Sequence, residues 1–234
     1  MNTTVVLVHG AFADAASWNG VIDRLQKAGV TVAAIPNPLR GLTADAAYVA
    51  SAVRQIEGPV LLVGHSYGGA VINAATLGLD NVAGLVHVAA FIPDAGESLA
   101  SISANFPATP FGDAIRPSLY PLADGTEAPE VRLDPAAYPE VFAADLPAEV
   151  TRVLAVAQRP IAVAGLEEKL AVEPGWKKLP SWTLVATQDN AIHPEAQRFM
   201  AERAGGTIVE VEGSHSVAVS HPDAVADLIL KALS

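Results

Sequence analysis

Four short segments, "TTVVLVHG" from Thr3, "VTVAAIP" from Val30, "PVLLVGH" from Pro59 and "VAGLVHVAAF" from Val82, are apolar at nearly every position. A strand with one wet face alternates apolar and polar side chains. Unbroken runs therefore demand cover on both faces, as in a parallel sheet between two layers of helices. Helical patterns fill the gaps. From Ala13 to Gly29, Trp18, Val21, Ile22 and Leu25 recur at helical spacing and Gly29 supplies a stop; from Thr43 to Ile56, Tyr48, Ala52, Val53 and Ile56 repeat the pattern. After Gly68, the small residues of "GAVINAATLG" suit a helix packed closely on the sheet. This order predicts a doubly wound α/β fold, with a mostly parallel sheet of about six strands and right-handed crossovers.

The rhythm breaks once. From about Pro93 to Gly175 prolines and glycines are frequent, strand-like runs disappear, and short helices are expected around "DPAAYPEVFAADL" and "PAEVTRVLAVAQ". The alternation then resumes with "SWTLVATQD", a helix in "HPEAQRFMAERAG", the strand "TIVEVEG" and a last helix in "HPDAVADLILKALS". The expectation is one core built from residues 1–92 and 176–234, interrupted by a mainly helical insertion over 93–175.

Composition narrows the function. The 234 residues are 51% hydrophobic and 17% charged, enough apolar surface for a large core, and no run is long enough to span a bilayer. A net charge of −11 at pH 7 repels nucleic acid and anionic membrane surfaces, which points to a small neutral partner. The absence of cysteine rules out disulfides, thiol nucleophiles and thiolate metal sites. "MNTTVVLVHG" has no cationic start before a long apolar stretch, so it is expected to be a core strand of a cytoplasmic protein and not a signal peptide.

The segment "LLVGHSYGGAVI" places Gly64, Ser66 and Gly68 as G-x-S-x-G where a strand turns into a helix. That turn strains the serine backbone and demands small neighbours, so the hydroxyl projects above the carboxyl ends of the strands. The nucleotide-binding alternative fits poorly: there is no G-K-[ST], and Ser66 replaces the second glycine of G-x-G-x-x-G. A serine nucleophile needs a base and the base an orienting acid. His9 and His65 lie beside strand ends where they serve turns, His87 sits inside an apolar strand, and His193 and His221 each precede a proline at a helix start. His215, in the loop of "VEVEGSHSV", is the favoured base, with His221 second. For the acid, Asp189 at the end of "SWTLVATQD" is preferred to Asp94 after "HVAAFIP", because its strand would stand nearer His215 and the chain order serine, acid, histidine is kept. The Tyr67 N–H supplies one donor to an oxyanion; the other comes from Ala11 or Phe12 in "HGAFADAASW".

"VLVHGAFADAASW", "GHSYGG", "ATQDNAIHPEAQRFM" and "VEGSH" together resemble the α/β-hydrolase superfamily, especially its compact branch of plant methylesterases, hydroxynitrile lyases and bacterial esterase-like proteins. The resemblance implies Ser66 as nucleophile, Asp189 as acid, His215 as base, the Ala11 and Tyr67 N–H groups as oxyanion hole, and residues 93–175 as a cap. Hydroxynitrile lyases of this branch carry threonine and lysine where this chain has Ala11 and Ser216, which disfavours cyanohydrin cleavage.

The expected activity is hydrolysis of small hydrophobic or aromatic carboxylic esters through an acyl-enzyme, with no metal or organic cofactor. Phe12, Phe91, Phe106, Phe111, Tyr120, Tyr138 and Phe142 are candidates for the pocket wall, with core packing as the alternative for each. The same triad would also serve a perhydrolase with haloperoxidase activity or a hydrolase of carbon–carbon bonds, and the scaffold would serve a ligand-binding receptor.

Overall fold

A computed structural model describes residues 2–234. In chain order its first half contains β1 (Thr4–Val8), α1 (Asn19–Lys27), β2 (Thr31–Ile35), α2 (Leu42–Arg54), β3 (Val60–His65), α3 (Tyr67–Ala75) and β4 (Val82–Val88). The inserted segment carries α4 (Leu99–Ser103), α5 (Phe111–Ala114), β5 (Ile115–Pro121), β6 (Glu127–Leu133), α6 (Tyr138–Phe142), α7 (Ala148–Leu154), β7 (Ile161–Ala162) and α8 (Val163–Glu167). The core then resumes with β8 (Ser181–Ala186), α9 (Pro194–Ala204), β9 (Thr207–Val211), α10 (Val217–Ser220) and α11 (Pro222–Leu233).

Six strands form one sheet in the order β2-β1-β3-β4-β8-β9, and every pairing in it is parallel. Successive side chains of a strand face opposite layers. Val5 and Leu7 accordingly join Val21, Leu25, Val225 and Ile229 of α1 and α11 in one core, while Val6 and Val8 join Val49, Val53, Val71 and Met200 of α2, α3 and α9 in the other. This two-sided burial is why the strands read as unbroken apolar runs. Among the described residues no helix is long and apolar enough to cross a membrane.

The insertion corrects one expectation. Beside the short helices α4 to α8 it holds strands that were not expected: β5, β6 and β7 form a three-stranded antiparallel sheet. Pro117, Pro121 and Pro129 obscure the two longer strands, and only Val131 and Leu133 of β6 are buried, so no apolar run marks them. A usable signal was present in "LADGT": Gly125 takes φ +84° and the Asp124 carboxylate accepts the Thr126 N–H at 2.9 Å, a hairpin turn of Asp-Gly type.

Candidate active site

The parallel sheet brings three loops to one edge. Ser66 follows β3 directly, Asp189 lies three residues beyond β8, and His215 four beyond β9. Ser66 adopts φ 55° and ψ −124°, outside the backbone regions an L residue prefers. The close quarters that impose this are visible at the glycines. A Cβ on Gly10 would stand 2.6 Å from the Ser66 Cβ, one on Gly64 2.5 Å from the Gly68 carbonyl oxygen, and one on Gly68 2.4 Å from the Val8 carbonyl oxygen.

His215 Nε2 lies 2.8 Å from Ser66 Oγ, and His215 Nδ1 lies 2.6 Å from Asp189 Oδ2. A carboxylate only accepts, so Nδ1 carries the proton and Nε2 presents its lone pair to the serine hydroxyl. All three are buried, with relative exposures of 6%, 3% and 1% for Ser66, Asp189 and His215. Asp189 is held on its other side: Oδ1 accepts the Ala191 and Ile192 N–H groups at 2.7 and 2.9 Å, and Oδ2 also accepts from Gln197 Nε2 at 2.7 Å. The rival acid, Asp94, is elsewhere, paired with Lys177, whose ammonium holds its carboxyl below the ordinary range. His221 is not at Ser66 either; its Nδ1 is 2.9 Å from Ser220 Oγ.

The remaining histidines serve the frame. His9 Nε2 accepts the Asn37 N–H at 2.9 Å, and Nδ1 lies 2.8 Å from the Gly10 carbonyl. His87 is buried and 2.9 Å from the Asn73 amide, and His193 caps α9 by accepting the Glu195 N–H. Burial pushes the pKa values of His65 and His87 each down to about 3, so both are neutral at pH 7.

The two candidates for the second oxyanion donor separate. The Phe12 N–H already donates to the Arg159 carbonyl at 3.1 Å, whereas the Ala11 N–H has no partner among the described residues. Tyr67 begins α3, where a helix leaves its first N–H groups unpaired. Its phenol donates to Asp45 Oδ2 at 2.7 Å, anchoring the residue that presents this N–H. Burial pushes the Asp45 carboxyl above its usual range, against the bonds it accepts from the Arg40 N–H and Tyr67.

A cavity of about 210 Å3 opens on Ser66 and His215, lined also by Phe12, Phe91, Phe111 and Phe142. Four of the seven aromatic candidates are thus in its wall. The other three are not: Phe106 stacks on Phe199, Tyr120 lies under the Arg40 guanidinium, and Tyr138 packs on Phe142 facing a neighbouring cavity. Among the described residues no group of three or more His, Asp or Glu is placed to hold a metal ion.

Two further residues escape sequence reasoning. Gln197 is a polar residue on the buried face of α9, between Ala196 and Met200, and that break in an apolar stripe was the available signal. Besides Asp189 it bonds the Ile192 carbonyl and accepts the Ala186 N–H, so all its polar atoms are committed. Asp145, from the insertion, accepts the Ser214 N–H at 3.0 Å and the Ser214 hydroxyl, beside His215. Burial opposes its ionisation, but these donors outweigh burial and hold its pKa below normal. The Phe142 carbonyl accepts the Ser216 N–H at 2.9 Å, and the Glu140 carbonyl accepts from the Asn190 amide at 2.9 Å. No local pattern signals these long-range bonds.

The sequence model of the alpha/beta hydrolase family matches residues 5–228. The chain belongs to that family. No curated protein matches it, but many solved structures share its fold. Polyneuridine aldehyde esterase superposes with a TM-score of 0.84 at 20% identity, covering 99% of both chains. A methylesterase from Arabidopsis gives 0.80 at 18% identity over 99% of this chain and 98% of that one. A pyrethroid hydrolase from Sphingobium faniae gives 0.77 at 22% identity over 100% and 98%. At such identities the likeness shows a shared α/β-hydrolase fold.

Proposed function

We propose that the protein is a serine carboxylic-ester hydrolase acting on small hydrophobic or aromatic esters. The observation that carries this reading is the unbroken hydrogen-bonded chain from Asp189 through His215 to Ser66, ending at an apolar cavity of about 210 Å3. That the structures of similar fold include esterases and a pyrethroid hydrolase supports the same class.

His215 Nε2 takes the Ser66 proton as Oγ attacks the ester carbonyl. The negative charge that develops on the carbonyl oxygen is received by the Ala11 and Tyr67 N–H groups, and Asp189 stabilises the imidazolium. When the tetrahedral intermediate collapses, the imidazolium returns its proton to the departing alcohol, leaving an acyl-Ser66. Water enters, loses a proton to His215, attacks the acyl carbon and releases the acid as Ser66 is reprotonated. Preorganisation is what the buried network contributes: Asp189, held by the Ala191 and Ile192 N–H groups and by Gln197, keeps the imidazole in one orientation and one tautomer.

Treatment with a small alkyl fluorophosphonate followed by intact-mass measurement tests this, alongside hydrolysis of a panel of p-nitrophenyl and methyl esters. The expected result is one adduct on the wild type, none on Ser66→Ala, and turnover confined to short apolar or aromatic esters. Well-folded protein that takes no adduct and turns over no ester would overturn the reading.

A further inference from the structure

Next to the cavity at Ser66 lies a second one of about 250 Å3, whose wall is mainly apolar in area and also includes Asp14, Ser17 and Asn19. The two share Phe12 and Phe142, whose rings meet edge to face at 6.1 Å between centroids and form the partition. Ser66 belongs only to the first chamber, while Tyr138, Ser216 and the exposed wall residues Ala16 and Ala157, which mark its mouth, belong only to the second.

His65 gives the second chamber a specific chemistry. It is 97% buried (3% exposed) and forms part of the wall. Its Nε2 is 2.8 Å from the His215 carbonyl, which can only accept, so Nε2 carries the proton. The ring is neutral at pH 7, and Nδ1 is therefore a bare lone pair without a partner among the described residues. Nδ1 keeps accessible surface, and an acceptor open to a mainly apolar chamber suits a molecule that brings one donor and otherwise apolar surface.

We infer that this chamber is a second binding site for a small neutral aryl or alkyl alcohol, its hydroxyl donating to His65 Nδ1 and its hydrocarbon body lying between Phe12, Phe142 and Leu154. The choice of ligand rests on the ester-hydrolase reading. An alcohol is what His215 would release, and the chamber lies across one aromatic partition from the place of release. Carboxylate products fit it poorly, because an anion brings no proton for Nδ1 and would lose its hydration against apolar walls.

The test uses 4-fluorophenol observed by fluorine NMR, titrated into full-length protein whose Ser66 has first been blocked by the fluorophosphonate. The inference expects saturable binding of one molecule to the blocked protein. It also expects binding at least about tenfold weaker for 4-fluoroanisole, which has no donor, the size of one lost hydrogen bond. Ala157→Trp and Ala16→Trp, each placing an indole at the mouth, are expected to abolish that binding without changing ester turnover. Neither residue belongs to the triad or the oxyanion site.

No saturable binding to the blocked protein would overturn the inference, as would binding that both tryptophan variants leave intact. Equal affinity for phenol and anisole would overturn the role of His65. Failure of the fluorophosphonate to label Ser66 is a different result: it counts against the hydrolase reading, and the tryptophan variants then test the chamber on untreated protein.

Discussion

Ser66 and Phe142 stand in the wall of the same cavity, but the chain places them by different means. Ser66 is fixed by the sheet: its N–H donates to the Val88 carbonyl, its carbonyl accepts from Gly69 and Phe91, and β3 is paired on both sides. Phe142 ends a five-residue helix that packs against α5 and α7, and it is tied to the core through Ser216, next to His215. Parallel strands set Ser66 within narrow limits because each bond restrains the same backbone path. The insertion instead reaches across 50 to 72 residues to grip the loops that carry Asp189 and His215, so the proposed activity would depend on the insertion being seated.

That contrast is open to direct attack. The largest effect is expected inside the sheet-held triad, where Asp189→Asn leaves the wrong tautomer favoured at His215 and lowers kcat by roughly 10^4-fold with KM little changed, as steady-state hydrolysis of a p-nitrophenyl ester would show. Gln197→Leu removes a donor from Asp189 and strands the Ala186 N–H. A loss of about 10- to 100-fold in kcat is expected, from one or two hydrogen bonds, together with a shift in the acidic limb of the pH–rate profile.

On the insertion side, Asp145→Ala is expected to lower kcat about tenfold while leaving KM nearly unchanged, whereas Asp145→Asn, which still accepts from the Ser214 N–H, retains most activity. If alanine lowered only the melting temperature and not kcat, the grip of the insertion on the base loop would be structural alone. The smallest expected effect on turnover lies away from the cavity at Ser66: Asp124→Ala at the β5–β6 turn should lower the denaturant midpoint slightly and leave kcat unchanged.

Stability should also respond to pH through the core. His65 and His87 have folded pKa values near 3 against 6.5 for the unfolded chain. Between these limits the unfolded state binds more protons, so stability is full above about pH 6.5 and declines as pH falls toward 3. By pH 5 each histidine accounts for a loss of roughly 2 kcal/mol. Urea unfolding at pH 7 and pH 5 checks this, and a midpoint that did not move would show that burial holds neither ring neutral.

Much of this protein was legible without coordinates because its signals are local. Two-sided burial writes itself into a strand as an unbroken apolar run, and a serine on a tight strand-to-helix turn demands glycine at Gly64 and Gly68. The strand-end positions of Asp189 and His215 followed from the alternation, since a parallel sheet delivers all its carboxyl ends to one edge. What only the tertiary structure decided are the partnerships between distant segments. That Asp189 and not Asp94 lies against His215, that the Phe12 N–H is bonded, which groups Gln197 and Asp145 hold, and how the aromatic residues divide between two chambers all depend on contacts made in the folded chain. Hydrogen bonds between loops far apart in the chain leave no periodic trace in it, so folding alone assigns them.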